Sequence, residues 1–391
     1  MSGYQQSIKI NNKFIILQTI RNHEPISRAT ISQQLKLTKA TVSSLVEELI
    51  SEDFCYQVGP GKSSGGRRPV MLQFNEKAGF SIGIDIGVNY ILGILVDLKG
   101  NIVLEKTDKF NTNDYIKTME KIEVLIDSFI SYSNQSRYGV TGIGIGVPAL
   151  VNLEGDILYT PNLTWENTDL KSYVENKYDI PVIIENEANA GAYGEKCFGS
   201  QKQSENLVYL SMGIGIGVGL ILDNKLFRGR NGLTGEMGHM IIEPNGEKCS
   251  CGSAGCWELY ASEKALLKRA AKIYPSKVED FTVEELVHDA GEELQPAFDE
   301  IGYYLGLGLN NIINTFNPEQ IIIGNRMTIA ENYLIDSMMK VIREKTLPHH
   351  QEDLNISFSK LNQYSTALGA ASFSIENFLK INFSNDISFV Y

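Results

Sequence analysis

The sequence predicts an α/β protein in two parts, a winged helix-turn-helix over residues 1–78 and a body over 79–391 built from two similar halves around a cleft. Three observations carry that expectation. Apolar residues recur at helical spacing through the first seventy-five positions, the pattern turns to strands at Gly79, and a glycine-rich strand-turn-strand early in the body recurs about 125 residues later. At 391 residues the chain also exceeds what one core usually holds, so two or three domains are expected.

Charge divides the chain at the same place. The net charge of −12, taken alone, argues against a nucleic-acid partner. Yet residues 1–75 hold nine Lys/Arg against five Asp/Glu, a balance of +4, while the other 316 residues hold 26 against 42, a balance of −16. A small cationic module on an acidic body fits a protein that brings only one end to phosphate. The N-terminus has no signal-peptide core or cleavage site, and no apolar run reaches the roughly 18 residues of a membrane span, so a cytoplasmic protein with no membrane partner is expected.

Phe14, Ile16, Leu17 and Ile20 mark one face of a first helix, which the Glu24-Pro25 step closes. A second helix is expected over Ser27–Leu35. Thr38 then caps a third, Lys39 to Ile50, whose inner face is Val42, Leu45, Val46 and Leu49. About three residues separate the two, the helix-turn-helix pattern, whose second helix enters the major groove by its N-terminal end. The DNA-facing candidates are therefore Thr38, Lys39, Ala40, Thr41, Ser43 and Ser44, which are short, polar or cationic. Phe54–Val58, the glycine-rich Gly59–Gly66 and Pro69–Leu72 form two strands around a loop. Arg67 and Arg68, at the edge of this wing, suit a narrow minor groove. A plain three-helix bundle, or a winged helix that binds protein, would share the helices; the local positive charge favours DNA.

In the body, strands are expected over 80–87, 90–97 and 101–106, a helix over 115–131 and a strand over 140–147. The second glycine-rich pair is 206–210 and 213–222. In a duplicated scaffold of this kind the two hairpins flank a cleft, where glycine lets backbone approach phosphate. Three of the five cysteines lie within eight residues. With His239 they read H-x9-C-x-C-x4-C, so His239, Cys249, Cys251 and Cys256 are expected to close a tetrahedral structural Zn2+ site with no open position for water. Three free thiols in a loop is the alternative.

Several ordered motifs then resemble one family: Asp85-Ile86-Gly87, Gly146-Val147-Pro148, Pro161-Asn162-Leu163-Thr164-Trp165, Glu185-Asn186-Glu187-Ala188-Asn189-Ala190, Gly235-Glu236-Met237-Gly238-His239, the Cys249–Glu258 run and Ile321-Ile322-Ile323-Gly324. Together they resemble the ROK group of bacterial repressors and sugar kinases, over essentially the whole chain. The resemblance implies an actin-hexokinase-like fold and the same zinc site. It implies sugar contacts from Asn162, Asn186, Glu187, Glu236, His239 and Glu258, with His239 serving metal and sugar together. It also implies that a C-terminal helix, about 362–380, returns to the first half, which divides the body into 79–185 plus that helix and 186–361.

The resemblance also isolates departures. Family kinases place an aspartate general base where this chain has Glu187, one methylene longer, so the base position reads as vestigial and no residue is expected to be catalytic. Val88-Asn89, Ser211-Met212-Gly213 and Gly324-Asn325-Arg326 replace elements that hold the nucleotide in those kinases. The expected protein is thus a repressor and not an enzyme, and its Glu185–Glu195 run is similar to the xylose-responsive branch of Gram-positive bacteria. Operator DNA and D-xylose are the partners this implies, in a homodimer or tetramer. An active sugar kinase with a DNA-binding appendage, and a regulator of a glucose or N-acetylhexosamine operon answering to a protein partner, are the rival readings. Ile381–Tyr391 is read as an extra strand or a loose tail.

Overall fold

Residues 3–61, 68–109, 114–163, 165, 168–274, 282–288 and 292–383 are described by a computed structural model. The chain opens with α1 (Gly3–His23), which buries Ile16, Leu17 and Ile20. A strand of two residues follows, β1 (Ile26–Ser27), which the sequence does not forecast. Two residues carry no periodicity; the strand exists because Ile26 meets Leu72 on an open sheet edge. Ser27 Oγ accepts from Thr30 N at 3.1 Å and so caps α2 (Arg28–Leu35), which ends at Lys36 in the left-handed conformation, φ 52°. Thr38 caps α3 (Lys39–Ser51) in the same way, through Thr41 N at 3.1 Å. The hairpin β2 (Cys55–Pro60) and β3 (Val70–Phe74) completes this head.

The body begins with β4 (Phe80–Ile86), β5 (Tyr90–Asp97), β6 (Ile102–Lys109), α4 (Tyr115–Ser133) and β7 (Val140–Val147). A short hairpin, β8 (Leu150–Val151) and β9 (Ile157–Tyr159), leads to α5 (Leu170–Tyr178), β10 (Val182–Asn186) and α6 (Glu187–Phe198). The second half runs β11 (Leu207–Met212), β12 (Ile216–Leu222), β13 (Lys225–Leu226), α7 (Glu258–Ala261), α8 (Glu263–Ile273), α9 (Val283–His288), α10 (Gln295–Phe316), β14 (Gln320–Gly324), α11 (Glu331–Lys345), β15 (Asn355–Phe358) and α12 (Ser365–Phe383). The third strand starts one residue later and ends three residues further on than the sequence suggests. The last helix reaches Phe383, so Ile381–Phe383 are helical and neither extra strand nor tail; residues 384–391 lie outside the described residues.

The duplication is visible in the sheets. One has order β10-β7-β4-β5-β6 and the other, read from its far edge, β15-β14-β11-β12-β13. In each, the first three strands pair in parallel and the last two antiparallel. Both halves therefore point the carboxyl ends of their parallel strands at the space between them, where α/β sheets place ligands.

Two helices occupy the joint between the halves. α12 lies on β4 and β7, and a Cβ added at Gly83 or Gly144 would fall 2.0 Å or 1.9 Å from the carbonyl oxygens of Ala367 and Ala370. Its other side lies on α6. The far end enters the head: Phe383 meets the Phe54 ring edge-on at 5.0 Å, and Tyr138 stacks on Phe54 at 5.1 Å. Tyr138 also donates to Glu52 O at 2.7 Å, and Arg137 to Ser51 O at 2.9 Å. Phe54 is 1% exposed, and burying such a ring contributes roughly 2–3 kcal/mol, so the head is seated on the body through apolar contact.

Candidate ligand and metal site

A cleft of about 320 Å³, large enough for one small polar molecule, opens between the halves. Asn162, Asn186, Glu187, Glu236, His239 and Glu258 all line it, although they span almost a hundred residues of sequence. Gly215 brings the second hairpin against them; a Cβ there would lie 2.8 Å from Glu258 Oε2.

The N-terminus of α6 shapes one wall. Asn186 is its cap: Oδ1 accepts from Ala188 N at 2.9 Å and Asn189 N at 3.2 Å, and Nδ2 donates to Ala149 O at 3.0 Å. Its amide is thus already committed on three sides, leaving one N–H for a ligand. Beneath it Glu185 receives Arg228 Nη2 at 2.7 Å and Asn189 Nδ2 at 3.1 Å, which fixes the start of the helix. Glu187 Oε1 accepts from Ser211 Oγ at 3.3 Å, and Ser211 accepts in turn from Asn325 Nδ2 at 2.9 Å. Asn325 itself sits at φ 68°, ψ −163°, a region that favours glycine and costs of order 1–3 kcal/mol for other residues. The relay from Asn325 to Glu187 joins three elements that no sequence pattern links.

Burial pushes the Glu187 carboxyl up to about 8, with Asp85 beside it adding to the effect. Burial likewise raises Asp85, to about 7, against the bond that Tyr90 donates to its Oδ2 at 2.7 Å. The Tyr90 ring lies on the turn after β4, where a Cβ on Gly87 would meet it at 2.0 Å. Val88 and Tyr90 both line the cleft, and the placement of the Tyr90 ring over Gly87 is not legible in the sequence.

One edge of the cleft is a cluster of potential metal ligands. The donor atoms of His239, Cys249, Cys251 and Cys256 all lie within 4.8 Å of one another. His239 Nδ1 stands 3.7 Å from Cys249 Sγ, and Cys251 and Cys256 Sγ are 3.6 Å apart, close to the edges of a tetrahedron around one ion. Three sulfurs and one imidazole fit a borderline-soft metal and leave no vacancy for a substrate. Gly255, at φ 75°, makes the turn possible, since a Cβ would sit 1.8 Å from Glu243 O. The other ring nitrogen, Nε2, stands 3.8 Å from Oε2 of Glu236, three residues earlier on the same turn.

At the head, Thr38 is exposed at the cap of α3, Lys39, Ala40, Ser43 and Ser44 are exposed on α3, and Arg68 is exposed on the wing. Thr41 is half-buried, and its hydroxyl shares a 2.8 Å bond with the Thr38 hydroxyl, so both are partly engaged in the cap. Arg67 lies outside the described residues.

A profile of the ROK family matches residues 81–377. The chain belongs to the ROK family. A relative named xylose repressor, from Bacillus spizizenii, is 46% identical to it over 95% of this chain and 97% of its own length. Among solved structures, a ROK family transcriptional regulator, homologous to the Escherichia coli MLC protein, is 30% identical with TM-score 0.79, covering 96% of this chain and 98% of that one. A ROK glucokinase from Streptomyces griseus, in complex with glucose and AMPPNP, is 28% identical with TM-score 0.67, covering 75% of this chain and 99% of that one. The ROK body thus has the mixed α/β fold of both regulators and kinases, and the regulator match continues through the head. Among the described residues, no helix is long and apolar enough to cross a membrane.

The carboxyl at Glu187 gives this ROK chain a testable pH response. Its pKa is higher folded than unfolded, so its contribution is complete below the ordinary value of 4.5 and is lost as pH rises toward 8. Stability should fall across that window by at most about 1.4 kcal/mol per pH unit from this group. Glu187→Gln should flatten the slope in urea unfolding measured at pH 5, 6, 7 and 8; an unchanged slope would refute the assignment.

Proposed function

We propose that this chain is a sugar-responsive transcriptional repressor, with D-xylose as effector and the operator of a xylose-utilisation operon as target. The observation that carries this reading is the near full-length match to proteins named xylose repressors, head and body together. The cleft supports it chemically. The carboxyl groups of Glu187, Glu236 and Glu258, the amides of Asn162 and Asn186, and the His239 ring supply the acceptors and donors that buried sugar hydroxyls require.

In this reading the head is residues 1–78 and the body 79–391, with lobes 79–185 plus about 362–380 and 186–361. Lys39, Ala40, Ser43 and Ser44 face the major groove, Thr38 and Thr41 support that end of α3, and Arg67 and Arg68 reach the minor groove. Two copies bind a palindrome, as a homodimer or as half of a tetramer. The His239, Cys249, Cys251 and Cys256 cluster holds Zn2+, which supplies a rigid loop and no reacting group. Its imidazole ligand also faces the sugar, so the metal fixes the orientation of one sugar contact.

The chain acts in the cytoplasm without phosphorylating its sugar. Glu187 is one methylene longer than the aspartate that serves as base in kinases, and the Tyr90 ring covers the turn at Gly87 where phosphate would need open backbone. Binding shifts a population: sugar favours a closed cleft, the helices at the joint move, and the paired heads lose operator spacing. For that shift sugar must bind the released state more tightly than the DNA-bound state. In fluorescence anisotropy with operator DNA, D-xylose should weaken binding at least tenfold, whereas ATP with the sugar should yield no ADP. An operator affinity indifferent to xylose would overturn the effector, and turnover of ATP would overturn the loss of catalysis.

A further inference from the structure

Arg326 begins the turn after β14, on the second half of the body, and its side chain is only 11% exposed. Two carboxylates of that same half hold it: Glu263, which opens α8, at 3.2 Å from Nη1, and Glu284 on α9 at 3.0 Å from Nη2. Its third partner lies on the opposite side. Nη1 donates at 3.2 Å to Oδ1 of Asn89, in the turn between β4 and β5 of the first half, 237 residues away. Arg326 also lines the cleft together with Glu187, His239 and Glu258.

The arrangement has a direction. Glu263 is 2% exposed and its backbone N–H donates to Gly213 O at 2.9 Å, so the anchor is welded to the second hairpin. Asn89 is half-buried in a short turn closed by the bond from Gly87 N to Tyr90 O at 2.9 Å. The guanidinium is thus fixed on one rim, and the hydrogen bond to Asn89 is the contact that can open. Hydrogen bonds from a charged donor are about twice as strong as neutral ones.

We propose that Arg326 is a cross-cleft latch, anchored by Glu263 and Glu284, whose bond to Asn89 holds the two halves together over the bound sugar and so sets effector affinity. It is a positioning residue that acts through Asn89 and need not touch the sugar. With two carboxylates already on it, the guanidinium has no charge left for a phosphate, so closure proceeds on the chain's own cation. The inference deepens the sugar-repressor reading and rests on it for the affinity readout.

The test uses the full chain and the variants Asn89→Ala, Arg326→Ala and their combination. Arg326→Ala strips the buried Glu263 of its cation and can fail to fold; Asn89→Ala leaves the anchor intact and decides the matter. In calorimetric titration with D-xylose, Asn89→Ala should weaken binding roughly tenfold, about what one charged hydrogen bond supplies. The double variant should lose no more than the worse single one, because both remove one contact. Affinity within twofold of the parent for Asn89→Ala, or losses that add, would overturn the latch. Amide exchange in sugar-free protein supplies a second readout: the turn at 86–90 should exchange faster in Asn89→Ala, and an unchanged rate there also overturns it. If the parent itself binds no xylose, the effector assignment fails while the exchange measurement still decides the latch.

Discussion

Stripping the zinc proposed for the His239, Cys249, Cys251 and Cys256 cluster is expected to abolish sugar-dependent release of DNA and to lower the melting temperature by roughly 10 °C or more. The segment between Met237 and Glu258 is tied mostly to itself, by bonds such as Cys249 N to Ser253 O and Trp257 N to Met240 O, both at 2.8 Å, with few ties outward, among them Glu247 N to the Tyr260 hydroxyl at 2.8 Å. Its ladder consists of two isolated bridges, Ile241 with Cys256 and Lys248 with Ala254, and its turns rest on glycines at positive φ. Cys256 and Trp257 are fully buried, so releasing the loop also opens the core of the second half at the Trp257 ring. Dialysis against a chelator, with metal content followed by mass spectrometry and unfolding by calorimetry, reads the effect directly. Zinc should restore both stability and sugar response, and magnesium should restore neither. A metal-free protein that melts and responds like the parent would remove the cluster from any role.

Gly369→Ala should be nearly as damaging. Helix propensity alone favours the change by about 1 kcal/mol, since alanine is the better helix former. Packing opposes it: the added Cβ on α12 would lie 1.7 Å from Ala190 O and 2.8 Å from Gly194 N, both backbone atoms of α6 that cannot turn aside. The two helices must separate, which costs about 3 kcal/mol of overpacking and decides the sign. Because the same helix carries Thr366, whose hydroxyl donates to Glu187 O at 3.1 Å, the variant should also lose xylose-dependent change in operator affinity. Urea unfolding together with anisotropy checks both; equal or greater stability would contradict the packing argument.

Much of this molecule is legible in its residues because the informative features are local. Thr38 ahead of Val42, Leu45, Val46 and Leu49 announces α3 with its cap, and the three cysteines crowd the sequence as closely as they crowd the site. The glycine-rich hairpins disclose the duplication for the same reason. What escapes reading depends on proximity that only folding creates. Ile26 and Ser27 form a strand because Leu72 and Met71 offer an edge. Tyr90 covers Gly87, three residues earlier, because its ring folds back over the turn, and Arg326 finds Asn89 across 237 residues. Asn186 matches a ligand-contact motif and serves as the helix cap at the same time, since one amide can satisfy both roles.

α12 has a consequence for speed. Its 3.1 Å bond to Glu187 O and its Phe383 contact with the head lie on one unbroken helix, about 26 Å apart. Glycines on β4, β7 and α6 hold it by backbone contact, so the span moves as a rigid body and not through successive side-chain rearrangements. Motions of that kind finish in microseconds to milliseconds. A cell would then wait on the accumulation of sugar and the decay of existing transcripts, while the protein itself adds no delay that transcription could register.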